Sequence, residues 1–279
     1  MTRLARRSIR RRSAQQAYPQ IPMSQMPILF GNSFPKSGTH LLTQILAGFT
    51  RLGPVVDSGL QAVLTFEGES GQPRSLSAIL ADLARLQSGD IGYGHLHAVP
   101  AVVQALCRAG VAPYFIYRDP RDVVVSHVFY VTEINNHHIH HDYYVNDLKD
   151  FDQRLEVSIL GRPELEPPFP DIRARFEPYL PWLGRSEVLS LRYEDLLENT
   201  FAELGSILDH AGSQGFVHPF ERSEAIGILA QSIKPEESPT FRKGQPGGWQ
   251  QHFTPRHKAL FKQVTGDLLM RLGYQKQNW

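Results

Sequence analysis

The chain has 279 residues, 41% hydrophobic and 20% charged, with 29 basic and 28 acidic residues and a net charge of +1; this suits one large α/β domain, or one domain with a loose tail. No apolar run approaches the roughly 18 residues of a membrane-spanning helix, stretches such as Val123–Val125 being far too short. The one cysteine, Cys107, excludes a disulfide within the chain and a cysteine-ligated zinc site.

Charge is distributed unevenly. Six arginines, Arg3, Arg6, Arg7, Arg10, Arg11 and Arg12, fall in the first twelve positions, and without them 23 basic residues face 28 acidic ones. No acidic residue precedes Asp57. So dense a block of like charge repels itself, so residues 1–25 are expected to form a poorly ordered arm, with the domain over 26–279. Because the arm is rich in Arg and Ser and free of acid, an organelle-targeting segment or an anionic-surface contact are the other readings. No apolar segment follows it, so a secretory signal is not expected, and a cytoplasmic location is the default.

After this arm, Met26–Phe34 is a short apolar run ending at Pro35, which reads as a buried strand and a turn. From Gly38 to Arg51, Leu41, Leu42, Ile45, Leu46 and Phe49 recur at helical spacing. Residues 53–73 hold four glycines and two prolines and read as loop. A helix is expected over Leu76–Leu86, a short strand at Ile91–His95, and a helix over Pro100–Ala109 with Cys107 on its buried face. Pro113–Tyr117 is a second buried strand, followed by Asp119 as cap and Pro120 at a first helical position. Residues 131–170 read as loops, Glu187–Leu191 as a third strand, and Phe201–Ala211 and Ser223–Gln231 as helices. Pro235–Gln251 reads as a Gly- and Pro-rich loop and Pro255–Leu272 as a last helix. Strands alternating with helices predict a three-layer α/β fold, a parallel sheet flanked by helices, with ligands at the carboxyl ends of the strands.

Polar motifs fall at those ends. Pro35-Lys36-Ser37-Gly38-Thr39-His40 joins a strand to a helix, where a glycine turn, a helix N-terminus, a lysine and two hydroxyls suit a phosphate. It is not the nucleotide loop with Lys directly after its second Gly. Arg118, at the end of the second strand, and Ser126, about two turns into the next helix, suit one anion, whereas Arg121 reads as a cap and surface ion-pair residue. Phe241-Arg242-Lys243-Gly244, continuing to Trp249, places two cations before a glycine in a loop. His137, His138, His140 and His141 read as a polar loop rather than a metal site, because no carboxylate or thiolate ligands with ordered spacing accompany them.

Taken in order, these three segments, with Tyr193-Glu194-Asp195, resemble the cytosolic-type sulfotransferases that use 3′-phosphoadenosine 5′-phosphosulfate (PAPS). The family reads roughly P-K-S-G-T, then an Arg with a Ser eight residues later, then Y-E-D at a strand end, then R-K-G-x-x-G-D-W. The likeness runs from about residue 27 to 254. It implies a P-loop-like fold and transfer of a sulfuryl group to a hydroxyl or amine of a small acceptor. It implies that Lys36, Ser37, Gly38, Thr39 and His40 hold the 5′-phosphosulfate, that Arg118, Ser126, Arg242, Lys243 and Gly244 hold the 3′-phosphate, and that Tyr193 lies by the adenine, with Ser232 a weaker candidate. It places the catalytic base at His95, followed by Leu96 as in the family, with His97 as the alternative, and gives Lys36 the charge on the leaving group.

The sequence departs from the family at three positions, with Leu41 for an aromatic, Tyr93 for a lysine and Gly248 for an aspartate. No carboxylate set for Mg²⁺ stands out, so no metal is expected, and nothing suggests a nucleic-acid partner. A P-loop kinase or NTPase and a nucleotide-binding module without a base are the alternatives. Oligomeric state is left open, a homodimer among the options, and the acceptor is unnamed; Phe66, Phe129, Tyr130, Tyr143 and Tyr144 read as its lining or as core and loop aromatics.

Overall fold

A computed structural model describes residues 3–67, 70–237 and 245–274. In chain order its longer elements are α1 (Arg3–Ala17), β1 (Ile28–Ser33), α2 (Thr39–Gly48), β2 (Val56–Asp57), β3 (Val63–Leu64), β4 (Phe66–Glu67), β5 (Gln72–Pro73), α3 (Leu76–Ala84), β6 (Asp90–His95), α4 (Pro100–Leu106) and β7 (Val111–Tyr117). They continue with α5 (Pro120–Phe129), α6 (Phe151–Leu160), α7 (Ile172–Phe176), β8 (Leu189–Arg192), α8 (Tyr193–Glu198), α9 (Thr200–Ser213), α10 (Arg222–Ala230), α11 (Pro255–Thr265) and α12 (Leu268–Arg271). They fall into two compact units.

The first unit comprises residues 1–65, 74–117 and 181–238. Its sheet runs β2-β6-β1-β7-β8, every pairing parallel, with β3 also beside β6. Each of the long inner strands β1 and β7 is buried along its length, as a sheet covered on both faces requires. Leu29, Ile91, Ala112, Tyr114, Ile116 and Leu191 pack into one core with Leu42, Ile45 and Leu46 of α2, Ile207 and Leu208 of α9 and Leu229 of α10. Alternate residues point the other way: an added Cβ at Gly92 would meet Leu86 and Phe30. β1, β6, β7 and β8 thus lie within the expected strands or overrun them by one or two residues. Cys107 is half-buried at the C-cap of α4 rather than in its buried face.

The N-terminal arm departs from expectation. Instead of being poorly ordered, residues 3–17 form α1. Arg7 and Arg11, one turn apart on one face, both bind Asp90, whose carboxylate is fully buried; Arg11 Nη1 lies 2.7 Å from it. The same guanidinium groups donate to the carbonyls of Arg85 (3.0 Å) and Ser88 (2.8 Å). Gln15 then ties the arm to the segment that leads into β1, donating to the Tyr18 and Ile21 carbonyls and accepting from the Met23 N–H at 2.8 Å. Repulsion among the arginines is offset because two of them face a buried anion that attracts both.

The second unit comprises residues 66–73, 118–180 and 239–279. It holds the β4–β5 hairpin, α5 to α7, α11 and α12. Two π-helical turns, Tyr130–Ile134 and Tyr143–Asp147, extend α5 and precede α6 across what reads in sequence as loop. The last helix is broken in two at Gly266, whose φ is +54°.

Candidate functional site

β1 brings Ser33 to the head of the glycine turn. There the chain enters the left-handed region twice, at Lys36 (φ +67°) and Gly38 (φ +95°). Gly38 is required on two counts, since a Cβ there would stand 2.5 Å from Tyr193 Cδ2. α2 starts at Thr39, directing its first N–H groups and positive dipole end into the turn. Ser37 is fully buried and its hydroxyl has no hydrogen-bond partner among the described residues. A buried hydroxyl in that state beside a lysine and a helix N-terminus fits an anionic oxygen as its missing acceptor.

Ser33 joins this turn to the histidine at the end of β6. His95 Nδ1 lies 2.8 Å from the Ser33 carbonyl oxygen and 3.0 Å from its hydroxyl. A carbonyl can only accept, so Nδ1 carries the proton and Nε2 presents the lone pair. The Ser33 hydroxyl also hydrogen-bonds with Thr39 Oγ1, 2.9 Å away. Burial holds the His95 pKa below its usual value, outweighing the bond to Ser33, and His40 and Lys36 lower it further. His40 is also lowered, by burial and then by Lys36. His95 therefore stays neutral at pH 7. His97 is likewise lowered by burial, to about 4.

The end of β6 is held rigidly. Buried Asn32 donates to the Leu96 carbonyl (3.0 Å) and accepts from its N–H (2.8 Å), and Trp182 Nε1–H donates to the same carbonyl at 2.8 Å. Thr65 accepts the His97 N–H at 3.0 Å. Tyr93 donates to the Thr43 carbonyl at 3.3 Å, so the position that departs from the family faces α2. Ser232 packs its hydroxyl 2.5 Å from where a Cβ of Gly48 would be and donates it to Ile228. Lys36, Ser37, Gly38, Thr39, His40, His95, His97 and Tyr193 all lie in the first unit.

In the second unit, Asp119 caps α5 through the Arg121 N–H (2.9 Å). Arg121 is buried, not a surface ion-pair residue: it grips Asp119 through Nε and Nη2 and lies 4.2 Å from the centroid of the Trp249 ring. Arg118 donates to the Gln245 carbonyl at 3.2 Å and stands 3.5 Å from Asp122. Ser126 is half-buried on α5. Arg242, Lys243 and Gly244 lie outside the described residues.

No group of three or more His, Cys, Asp or Glu side chains among the described residues is arranged to hold a metal. The histidine cluster is not a solvated loop throughout: His140 is buried against Phe169, with ring centroids 4.9 Å apart, and His138 packs against His127 at 5.8 Å. Of the aromatics singled out in sequence, Tyr144 is fully buried and Phe66 is exposed.

A sequence profile described as the sulfotransferase domain matches residues 114–273, more than half of the chain. The chain belongs to the sulfotransferase family. No curated protein matches it. Among solved structures, the sulfotransferase fold is shared with mouse sulfotransferase SULT7A1 complexed with PAP, at 18% identity and a TM-score of 0.57, over 88% of this chain and 84% of that one. Retinol dehydratase in complex with androsterone and inactive cofactor PAP aligns at 16% identity and a TM-score of 0.55, over 92% and 85%. Retinol dehydratase in a complex with retinol and PAP aligns at 16% and 0.56, over 97% and 87%. The reaction of this sulfotransferase is sulfuryl transfer.

Sequence reasoning missed Ser33 and Asn32, and gave Asp122 only a cap or surface ion-pair reading. A signal for the first two was available: a polar pair interrupts an otherwise apolar strand run directly before the glycine turn, and both residues are buried.

Proposed function

We propose that this sulfotransferase takes its sulfuryl group from PAPS and passes it to a hydroxyl or amine of a small acceptor, with His95 as general base. The observation that carries the assignment is the bond from His95 Nδ1–H to the Ser33 carbonyl at 2.8 Å, which fixes the tautomer a base needs. PAPS when bound supplies an activated sulfuryl group on a phosphate leaving group. The chain's own residues do the rest. Nε2 of His95 takes the proton of the acceptor as its oxygen or nitrogen attacks. Lys36, the α2 N–H groups and the hydroxyls of Ser37 and Thr39 hold the 5′-phosphosulfate and neutralise charge on the departing oxygen, an effect largely of positioning and preorganised charge. His40 lies in the same turn, Tyr193 by the adenine, and Arg118 and Ser126 take the 3′-phosphate.

Calorimetric titration with 3′-phosphoadenosine 5′-phosphate without Mg²⁺, alongside ATP, tests the nucleotide assignment. Tight binding of the bisphosphate, weakened in Lys36→Ala and Arg118→Ala, is expected; Mg²⁺-dependent ATP binding with no affinity for the bisphosphate refutes it. For the base, His95→Ala is expected to lower turnover by about 10²–10⁴-fold with bisphosphate affinity kept. Full turnover in His95→Ala with loss in His97→Ala would move the role to His97. Because a base must be unprotonated and the His95 pKa is lowered, the acid limb of kcat/KM is expected below pH 6.5.

A further inference from the structure

We propose that Asp122 is a positioning residue for 3′-phosphate recognition, holding the turn at residues 245–249 and aiming Arg118; this rests on the reading of Arg118 as a 3′-phosphate ligand. Asp122 is 3% exposed, on the first turn of α5. Its Oδ2 accepts the Gly247 N–H at 2.8 Å and its Oδ1 accepts the Trp249 N–H at 2.8 Å. Arg118, one turn earlier, stands 3.5 Å from Oδ2 and donates to the Gln245 carbonyl at 3.2 Å. A guanidinium that must meet a phosphate needs its long side chain fixed beforehand, and here a carboxylate and a carbonyl both engage its Nη2 and fix it. The carboxylate is committed to backbone N–H groups of the turn as well as to Arg118, so the placement of one governs the other.

The turn itself does not depend on Asp122 alone. Trp249 is buried, lies 4.2 Å under Arg121 and packs edge-on to Phe253 at 5.4 Å. In Asp122→Asn the turn therefore stays docked by its indole. The amide loses the charge facing Arg118, and its NH₂ meets one of the two N–H donors that the carboxylate accepts. A general loss of fold would weaken all nucleotides alike, whereas an aiming role acts on the 3′-phosphate alone.

The test compares 3′-phosphoadenosine 5′-phosphate with adenosine 5′-monophosphate, which lacks the 3′-phosphate, by calorimetry on the full chain. Wild type is expected to prefer the bisphosphate strongly. Asp122→Asn is expected to weaken the bisphosphate by about ten- to a hundred-fold, the worth of one charge-assisted bond, with monophosphate affinity unchanged. In an Arg118→Ala background the same substitution is expected to have little further effect. Should Asp122→Asn fail to fold, Asp122→Glu, which keeps the charge and displaces its oxygens, carries the same expectation. An unchanged preference, or equal loss of both nucleotides, overturns the role of Asp122 while leaving the nucleotide reading intact. A wild type with no preference for the bisphosphate overturns both.

Discussion

Removing the arginines that face Asp90 is the sharpest test of how the first unit is held together. Arg7→Met with Arg11→Met keeps much of the apolar stem of each side chain and deletes both charges. Asp90, 0% exposed, would then keep the Gln87 N–H at 2.8 Å as its only hydrogen-bond donor among the described residues. Breaking a buried pair in this way costs about 3–5 kcal/mol, because the carboxylate is left uncompensated. At roughly 2–4 °C per kcal/mol for a large domain, the midpoint should fall by about 6–20 °C. Thermal denaturation followed by circular dichroism reads the shift. Asp90→Asn is expected to destabilise the wild type but to restore part of the loss in the double variant, since it removes the orphaned charge. A double variant within about 2 °C of wild type, or an Asp90→Asn effect of the same sign and size in both backgrounds, would refute the reasoning.

Three further outcomes are expected. Gly247→Ala, at φ +75° with nothing within 4 Å of the new Cβ, should cost about 1 kcal/mol of backbone strain; Gly38→Ala adds the Tyr193 clash, and urea denaturation should show about 1–3 kcal/mol more. Asn32→Leu orphans the Leu96 N–H and should cost about 1–3 kcal/mol, with a fall in kcat larger than the change in bisphosphate affinity. His97 and His140 are pushed below their usual pKa by burial, so the unfolded chain binds more protons. Their contribution is full above pH 6.5 and is lost as the pH falls toward about 4 for His97. The urea midpoint should drop over that range, and His97→Gln should flatten the drop; an unchanged slope would show that His97 is not its source.

What could be read from the sequence was local. The strand, Pro35, Gly38 and the helix after them carry their own punctuation within about twenty residues, and β6, β7 and β8 are marked by apolar runs ending in polar motifs. The break at Gly266 had a visible signal in the glycine itself. What stayed hidden depends on partners far along the chain. The order of the arm rests on Asp90, 83 residues beyond Arg7. The part played by Ser33 needs His95, 62 residues on, and that of Asp122 needs Gly247, 125 residues on. Across residues 131–186, α6 and α7 are capped by Asp150 and Asp171, but those caps look like ordinary loop aspartates until the helices are seen to pack.

Ser33 has a consequence for how such an enzyme can diversify. Its carbonyl orients His95 and its hydroxyl reaches Thr39, so the proposed base and the proposed phosphate turn share one reference point on a central strand. Function is commonly varied through surface loops, and neither of these two bonds is made by one. Substitutions in those loops can therefore change which molecules are accepted without resetting the distance between the proton acceptor and the donor's cradle. A lineage built this way can broaden or exchange its acceptors while the reacting geometry is inherited unchanged.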